Sequence, residues 1–586
     1  MNGSDYIAEY LDRIGVHHVY LMTGGACAFM IDALARHPRI DYRCMLHEQS
    51  AAMAADAVWR VSGRLGVSMA TSGPGATNLL TGIACSYFDS IPSLHITGQV
   101  NKRESASYLG ANVRQAGFQE TKIVDVVRPL TKYAVMVETA EQLREELPKA
   151  VGIALSGRMG PVLIDVPMNV QQEDMGDFGD DPVMPWLDPV PVDPAALDEA
   201  GAAIRALFEN AERPLVLFGA GVGLAGAGDA VAGWLSETGV PFVSSWNGLT
   251  YFNHDHPGYL GGIGVYGNRG ANFAIQNCDA LLVLGSRLDN RQRSGSAANF
   301  ANAAKVLVVD VDAEELKKYQ NDGYAVSALD LQHLPQVLLG IDAPRQSNAW
   351  GDYIAEMRET YFGRNVSTYA ARKGTLSPYA VIEAMNGLID TDAVVANDTG
   401  AAVCWFFQAF RRTGQTVFTA GGNSPMGYAL PAAIAAKMED PERQVVCCIG
   451  DGGFQLNIQE LQTLMHYGLD ITIMVFNNAG FGIIKQFQDS YMESRYEATG
   501  RGYSVPDFSA VARAYGLDYR RIDSADDLTA DLFSGKGGML LDVTLDPNTL
   551  IEPKLEMGRP INDQYPYLDD DAYARGNRFV DYPRRK

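Results

Sequence analysis

Basic residues are scarce in this chain: 47 Lys and Arg stand against 70 Asp and Glu, a formal net charge of −23. That balance argues against nucleic acid and anionic membrane surfaces as partners. Cysteine is also sparse, with seven in 586 residues, an odd number and no CxxC pair. A disulfide framework and a cysteine zinc site are thereby disfavoured, and the usage fits a reducing cytoplasm. No apolar run is long enough to cross a bilayer. Met1 to Asp5 lacks the basic and apolar pattern of a signal sequence. Glycine, by contrast, is plentiful at 59 residues, as many strand-to-helix turns require.

The length predicts three or four domains. Strands alternate with helices throughout, which predicts an α/β protein built on doubly wound parallel sheets. The first unit covers 1–180 and closes with the strand Pro161 to Pro167. Residues 177–194 are rich in Pro and Asp and read as a linker. A second unit covers 195–340, with strands expected at Pro214 to Phe218, Asp279 to Leu284 and Lys305 to Val311. A more helical connection is expected over 341–374 and a third unit over 370–548. The tail 549–586 carries several prolines and Asp569-Asp570-Asp571, and is expected to wrap the surface or stay partly mobile.

The most informative stretch lies in the third unit. Val445 to Ile449 reads as a buried strand ending in Gly450-Asp451-Gly452-Gly453. A helix is expected over Phe454 to Leu469, with Leu456, Leu461 and Leu464 on one face. Ile471 to Phe476 reads as the next strand, ending at Asn477-Asn478-Ala479-Gly480. This order brings Asp451 and Asn478 to the carboxyl edge of one sheet, where α/β folds bind ligands. A carboxylate, an amide oxygen, a backbone carbonyl and phosphate oxygens would suit octahedral Mg2+. The plain alternative is a tight turn with an incidental acid. The block resembles the thiamin diphosphate signature, which implies Mg2+ ligands at Asp451, Asn478 and Gly480.

In the first unit, Glu48 begins a helix expected over Glu48 to Ser62, just after a strand over Ile40 to Leu46. An isolated Glu there would simply face the helix dipole. Its context is Gly24-Gly25-Ala26, His47-Glu48-Gln49-Ser50-Ala51-Ala52, Thr71-Ser72-Gly73-Pro74-Gly75, Asp89-Ser90-Ile91-Pro92, Thr97-Gly98-Gln99 and Arg114 to Glu120. That series, in that order, resembles acetohydroxyacid (acetolactate) synthases, and the resemblance runs to about residue 545. It implies the thiamin diphosphate-binding fold with a Rossmann-like middle domain. Glu48 would bond N1′ of the cofactor's aminopyrimidine and favour its imino tautomer. Met426, within Gly421 to Tyr428, would be the apolar wedge beneath the cofactor, though a core role is the commoner one for Met. Further cofactor contacts are implied at Gly25, Pro74, Asn78, Thr399, Gly400, Ala401, Ala402, Ser424, Gly450, Gly452, Gly453 and Ile483. The synthases carry Gln and His where this chain has Ala401 and Ala402, which leaves only backbone donors there.

The middle unit shows Gly219-Ala220-Gly221 after a strand, Arg287 beyond another, and Asp310-Val311-Asp312 beyond a third. Acids at strand ends can bind ribose hydroxyls and Arg can clamp pyrophosphate. The unit resembles the FAD-binding domain of the synthases, with matches at Arg158, Gly219, Gly221, Gly264, Arg287, Asp310 and Asp330. The alternative is a scaffold holding ADP or no nucleotide.

The same resemblance places Phe118, Gln119 and Arg291 in the active site, with Arg291 receiving the carboxylate of a second keto acid. Two positions depart from it. The synthases' active-site lysine is Met168 here, and their Gly-Met-His-Gly is Gly264-Val265-Tyr266-Gly267. These changes fit a different or larger acceptor. Ile484 stands where pyruvate decarboxylases carry a protonating Glu, so capture by a second carbonyl is favoured over aldehyde release. Three readings follow: a carboligase joining a 2-keto acid donor to a carbonyl acceptor, a flavin-dependent oxidase, and a non-catalytic scaffold. A homodimer or homotetramer is expected, because Glu48 and Asp451 lie on separate units yet must reach one cofactor.

Overall fold

The computed structural model describes residues 1–179, 193–295, 297–362, 375–534 and 537–582. Three six-stranded sheets follow one another along the chain, each wholly parallel and flanked by helices. The first contains β1 His18–Leu21, β2 Asp41–Cys44, β3 Gly66–Ala70, β4 Ser93–Gln99, β5 Tyr133–Met136 and β6 Pro161–Pro167. Its order is β2-β1-β3-β4-β6-β5. The second contains β7 Pro214–Phe218, β8 Phe242–Ser244, β9 Tyr259–Gly262, β10 Ala280–Leu284, β11 Lys305–Asp310 and β12 Ala325–Ala328. The third contains β13 Val394–Asn397, β14 Thr416–Phe418, β15 Val445–Gly450, β16 Ile471–Asn477, β17 Asp518–Ile522 and β18 Met539–Thr544.

The third sheet, β14-β13-β15-β16-β18-β17, repeats the strand order of the first. The second, β12-β11-β10-β7-β8-β9, has the order of dinucleotide-binding sheets. Strand order reverses between β1 and β3, between β7 and β10, and between β13 and β15. Each such point opens a crevice at the carboxyl ends of the strands. The central strands are apolar on both faces, as sheets covered on both sides require: β7, β10 and β16 are buried through nearly their whole length.

The helix Glu48–Ser62 forms where expected. His47 Nδ1 accepts from Gln49 N at its start, and Gly63, at φ 68, closes it in the left-handed region. The helix packs on Ala429–Glu439 of the third unit. Here Arg60 pairs with Asp56 at 2.7 Å and Asp89 at 2.8 Å. Tyr428 Oη donates to Asp56 Oδ2 at 2.6 Å. The third unit is therefore joined, within one chain, by a buried hydrogen bond to an ionic cluster of the first.

Two expectations are corrected. The helix expected over Phe454 to Leu469 is two helices, Asp451–Leu456 and Glu460–His466. Asn457, 1% exposed, turns inward and donates to Gly427 O at 2.8 Å. A side-chain bond to backbone competes there with the helical ladder. Leu461 and Leu464 are buried, but Leu456 is 54% exposed, so the three do not share a buried face. Of the two outcomes expected for the tail, it takes the first as far as residue 582 and wraps the surface. It forms a hairpin from Lys554–Leu555 and Gln564–Tyr565 and a helix Asp570–Gly576. It buries Leu555, Ile561 and Tyr573 against the middle unit. Most of the expected linker at 177–194 lies outside the described residues, as does the end of the 341–374 connection. The helices Pro194–Phe208 and Asn348–Tyr361 are described.

Candidate functional site

At the crevice of the third sheet, the ends of β13 and β15 face each other. The Asp398 carboxylate follows β13 and accepts from Gly427 N and Ala429 N, both at 3.1 Å. Burial pushes its pKa up to about 6. Only glycine fits opposite it, since a Cβ on Gly453 would stand 2.0 Å from Asp398 Oδ2. Asp398 thus locks the Ser424-Pro425-Met426-Gly427 turn against the GDGG turn. A Cβ on Gly452 would lie 3.0 Å from Met426 Cε, so the methionine borders the acidic turn. Ser424, at φ 52, shares a hydroxyl–hydroxyl bond with Thr399.

Asp451 is 2% exposed, and burial raises its pKa to about 6. Its Oδ2 accepts from Gly480 N at 3.3 Å, which joins the two motif turns directly. The paired asparagines divide their work. Asn477 Nδ2 donates to Asp542 Oδ1 at 2.9 Å, a structural bond between β16 and β18. Asn478 is buried and its Nδ2 has no partner among the described residues. That orphan N–H awaits an acceptor such as a phosphate oxygen, while the buried Asp451 carboxylate and the Asn478 Oδ1 are the oxygens that a hard cation would take. A Cβ on Gly400 or Gly450 would meet nothing within 4 Å, so both turns face open space. Ala401 and Ala402 are buried and Ile483 is half-buried beside them.

In the first unit the crevice lies between the Gly24-Gly25 turn after β1 and the Thr71 to Gly75 turn after β3. Ala26 N donates to Thr71 Oγ1 at 3.1 Å, holding the turns together. Glu48 is 8% exposed and its Oε2 accepts from Asn78 Nδ2 at 2.9 Å. Its other oxygen lies close to Gly75, where a Cβ would stand 3.2 Å from Oε1. Gln119, at φ 62, packs on Gly73, since a Cβ there would stand 2.9 Å from Gln119 Cβ. Pro74, Asn78 and Gly25 are exposed, and Phe118 is 84% exposed. The structure therefore brings Glu48, Asn78, Pro74 and Gln119 to one crevice and leaves Phe118 in solvent.

Three domain families match along the chain. They are the N-terminal TPP binding domain of thiamine pyrophosphate enzymes at residues 1–126, their central domain at 202–329 and their C-terminal TPP binding domain at 398–543. The acetolactate synthase isozyme 2 large subunit of Escherichia coli is 33% identical over 562 residues, covering 95% of this chain and 98% of that protein. This chain belongs to the thiamine pyrophosphate enzymes. Within them it is acetolactate synthase-like. The acetolactate synthase large subunit of Lactococcus lactis is 30% identical over 565 residues, 95% of each chain. Acetolactate synthase 2 of Zea mays is 32% identical over 589 residues, covering 97% of this chain and 89% of that one.

In this thiamine pyrophosphate enzyme, a cavity of about 570 Å³ opens at the crevice of the second sheet. All three units line it, through Asp89 and Arg158, Arg287 and Asp310, and Phe418 and Gly422. Gly219 and Gly221 are required by chain packing as well: a Cβ on either would stand 2.1 or 2.9 Å from Gly285 O. Gly264, at φ 108, is similarly pressed on Arg291 O. Arg158 is engaged by Asp312 at 2.8 Å and Glu315 at 3.2 Å. Asp330 caps its own turn at Gln332. Arg287 makes no ion pair among the described residues and faces the cavity. Arg291 is exposed at the cavity rim, beside Tyr266 and Val265. Ile484 is 47% exposed and Met168 half-buried.

Sequence reasoning placed Asp398 in a diphosphate-contact loop but missed its role in holding the turns, and it missed Tyr503 altogether. Asp398 had a signal, an acid at a strand end, but its partners lie in a turn some thirty residues on, at Gly427 and Ala429. Tyr503 had none. Its hydroxyl reaches Asp451 Oδ1 at 2.7 Å from a loop without regular structure. No helix of the described residues is long and apolar enough to cross a membrane.

Proposed function

We propose that this enzyme decarboxylates pyruvate or a similar 2-keto acid and joins the resulting two-carbon unit to a second carbonyl compound. The observation that carries this is the pair of preserved crevices. One presents the buried Glu48 carboxylate, and the other presents buried Asp451 with Asn478, whose unpartnered Nδ2 awaits an acceptor such as a phosphate oxygen. Thiamin diphosphate, when bound, supplies the carbon nucleophile and the electron sink. Asp451, Asn478 and the Gly480 carbonyl would hold Mg2+ on its diphosphate. The open turns at Thr399-Gly400 and Gly450 would receive phosphate oxygens on backbone N–H groups. Met426 would support the cofactor from beneath. Glu48 would exchange a proton with the pyrimidine ring, and Asn78 orients its carboxylate for that exchange. Arg291 would receive an acceptor carboxylate, and Gln119 would line the approach.

FAD suits the second crevice. The cavity volume falls in the range of cofactor sites, and Arg287, Asp310 and Asp330 lie along it. A yellow protein that releases FAD on denaturation is the expected sign. A colourless protein that takes up no FAD would leave the scaffold reading of the middle unit.

Glu48 and Asp451 lie on separate units, which supports an assembly of more than one copy. We propose a twofold arrangement in which the first unit of one copy faces the third unit of another. Phe118, Leu109, Tyr108 and Val113, each at least 49% exposed, supply apolar surface for such a contact.

Glu48→Gln tests the reading. The variant should still bind thiamin diphosphate but lose most of its turnover, because an amide cannot cycle a proton. Exchange of the bound cofactor's C2 hydrogen for deuterium at the unmodified rate would remove Glu48 from this role. Mass spectrometry of products from pyruvate with keto acids, aldehydes and ketones identifies the acceptor. Oxygen uptake with pyruvate alone would point to the oxidase instead.

A further inference from the structure

We propose that Tyr503 is a positioning residue for the cofactor's Mg2+, acting by fixing the orientation of the Asp451 carboxylate. The inference rests on the reading of Asp451 as a Mg2+ ligand. Tyr503 belongs to the irregular stretch between the helices Gly482–Tyr491 and Phe508–Tyr515, outside both motif turns. Its hydroxyl lies 2.7 Å from Asp451 Oδ1, within the ordinary length of an O–H···O bond. The direction of that bond is set by a third residue. Gln455 Nε2 donates to Tyr503 Oη at 3.0 Å, so the phenolic oxygen is already accepting and its own proton points at Asp451. Gly480 N occupies the other carboxylate oxygen at 3.3 Å. The backbone N–H groups of Ala479 and Gly452 also act on the carboxylate, and with donors on both oxygens its plane is fixed.

The tyrosine ring is itself held. It lies on Phe481, centroid to centroid 4.3 Å, at an interplanar angle of 48°. Phe481 in turn presses on the acidic turn, its Cε1 standing 2.5 Å from where a Cβ on Gly452 would be. Tyr503, Phe481, Gly452 and Met426 thus form one contiguous row from the loop to the cofactor wedge. Ligating carboxylates in metal sites depend on hydrogen-bonded partners behind them, whose removal typically costs 10–100-fold in metal affinity. Asp451 has such partners of two kinds, backbone N–H groups of Gly480, Ala479 and Gly452, and the Tyr503 hydroxyl. Only the second can be removed by substitution.

Tyr503→Phe keeps the ring on Phe481 and deletes only the hydroxyl. The full-length protein is stripped of metal with a chelator, and Mg2+ is titrated by calorimetry at fixed, saturating thiamin diphosphate. The expected result is Mg2+ binding weaker by about 10–100-fold, with the melting midpoint of the metal-free protein unchanged. Gln455→Met, which frees the hydroxyl to rotate, should give a smaller loss in the same direction. Unmodified Mg2+ affinity in Tyr503→Phe would overturn the proposal. Weaker binding accompanied by a lower metal-free melting midpoint would also overturn it, in favour of simple packing. Asp451→Ala run alongside separates the two layers of the argument. If Asp451→Ala binds Mg2+ normally, the metal reading itself falls. If it does not, and Tyr503→Phe does, only the role of Tyr503 falls.

Discussion

Buried acids in this protein take different partners, and the difference decides what each can do. Glu48 bonds one amide and keeps an oxygen toward an open crevice. Asp398 is used up by two backbone donors, and Asp165 by two side chains. Asp165, within β6, is 1% exposed and accepts from Thr97 Oγ1 at 2.7 Å and Gln99 Nε2 at 2.9 Å. Burial raises its pKa to about 7. The unfolded chain releases that proton near the ordinary Asp value, about 3.9. Between roughly pH 4 and pH 7 the folded state therefore binds more protons, and stability falls as pH rises. Asp165→Asn should remove this share of the slope, which approaches about 1.4 kcal/mol per pH unit. Urea midpoints of both proteins measured from pH 4.5 to pH 7.5 check it. Parallel curves would show that Asp165 does not titrate there.

At the scale of elements, strands and turns were legible because their chemistry is local. Pro161–Pro167, Pro214–Phe218 and Glu48–Ser62 form with the expected limits, since each is bounded by Gly, Pro or a cap and is uniform inside. The expected helix over Phe454 to Leu469 was misread because its break depends on Gly427, a turn reached only through the fold. The same distance hides Tyr503 and the grip of Asp398. What could be read was each motif turn; what could not was the set of groups that hold one turn against another. Gly453 shows how tight that grip is. Gly453→Ala would put a methyl on Asp398, which must then leave Gly427 N or Ala429 N. The expected cost is roughly 2–4 kcal/mol, from overpacking plus a lost buried hydrogen bond. Chemical denaturation reads it out. A loss under 1 kcal/mol would mean that the two turns are not locked as described.

For the whole molecule, strand order is the strongest organising fact. The first and third sheets share one order, while the middle sheet has another, and each offers a single crevice. The buried contact of Arg60, Asp56, Asp89 and Tyr428 binds the first and third units of one chain side by side. In the proposed twofold arrangement, a cofactor reaching both Glu48 and Asp451 would lie between two copies. Mixing inactive Glu48→Gln with inactive Asp451→Ala under subunit exchange should restore activity, because each mixed dimer would carry one intact site. If exchange is demonstrated and no activity returns, the shared-site arrangement fails. The tail has a consequence for synthesis. Ribosomes deliver the N-terminal parts first, yet Phe273 of the middle unit and Tyr353 of the helix Asn348–Tyr361 packed on it are covered by residues near the far end of the chain. Tyr353 Oη donates to Gly576 O at 2.6 Å, and a Cβ on Gly576 would strike the Phe273 ring at 2.4 Å. The middle unit must therefore wait, with an apolar face open, until translation is almost over. A nascent chain stalled before the tail should be bound by chaperones and cut readily in the middle unit, whereas the released full-length chain should resist both.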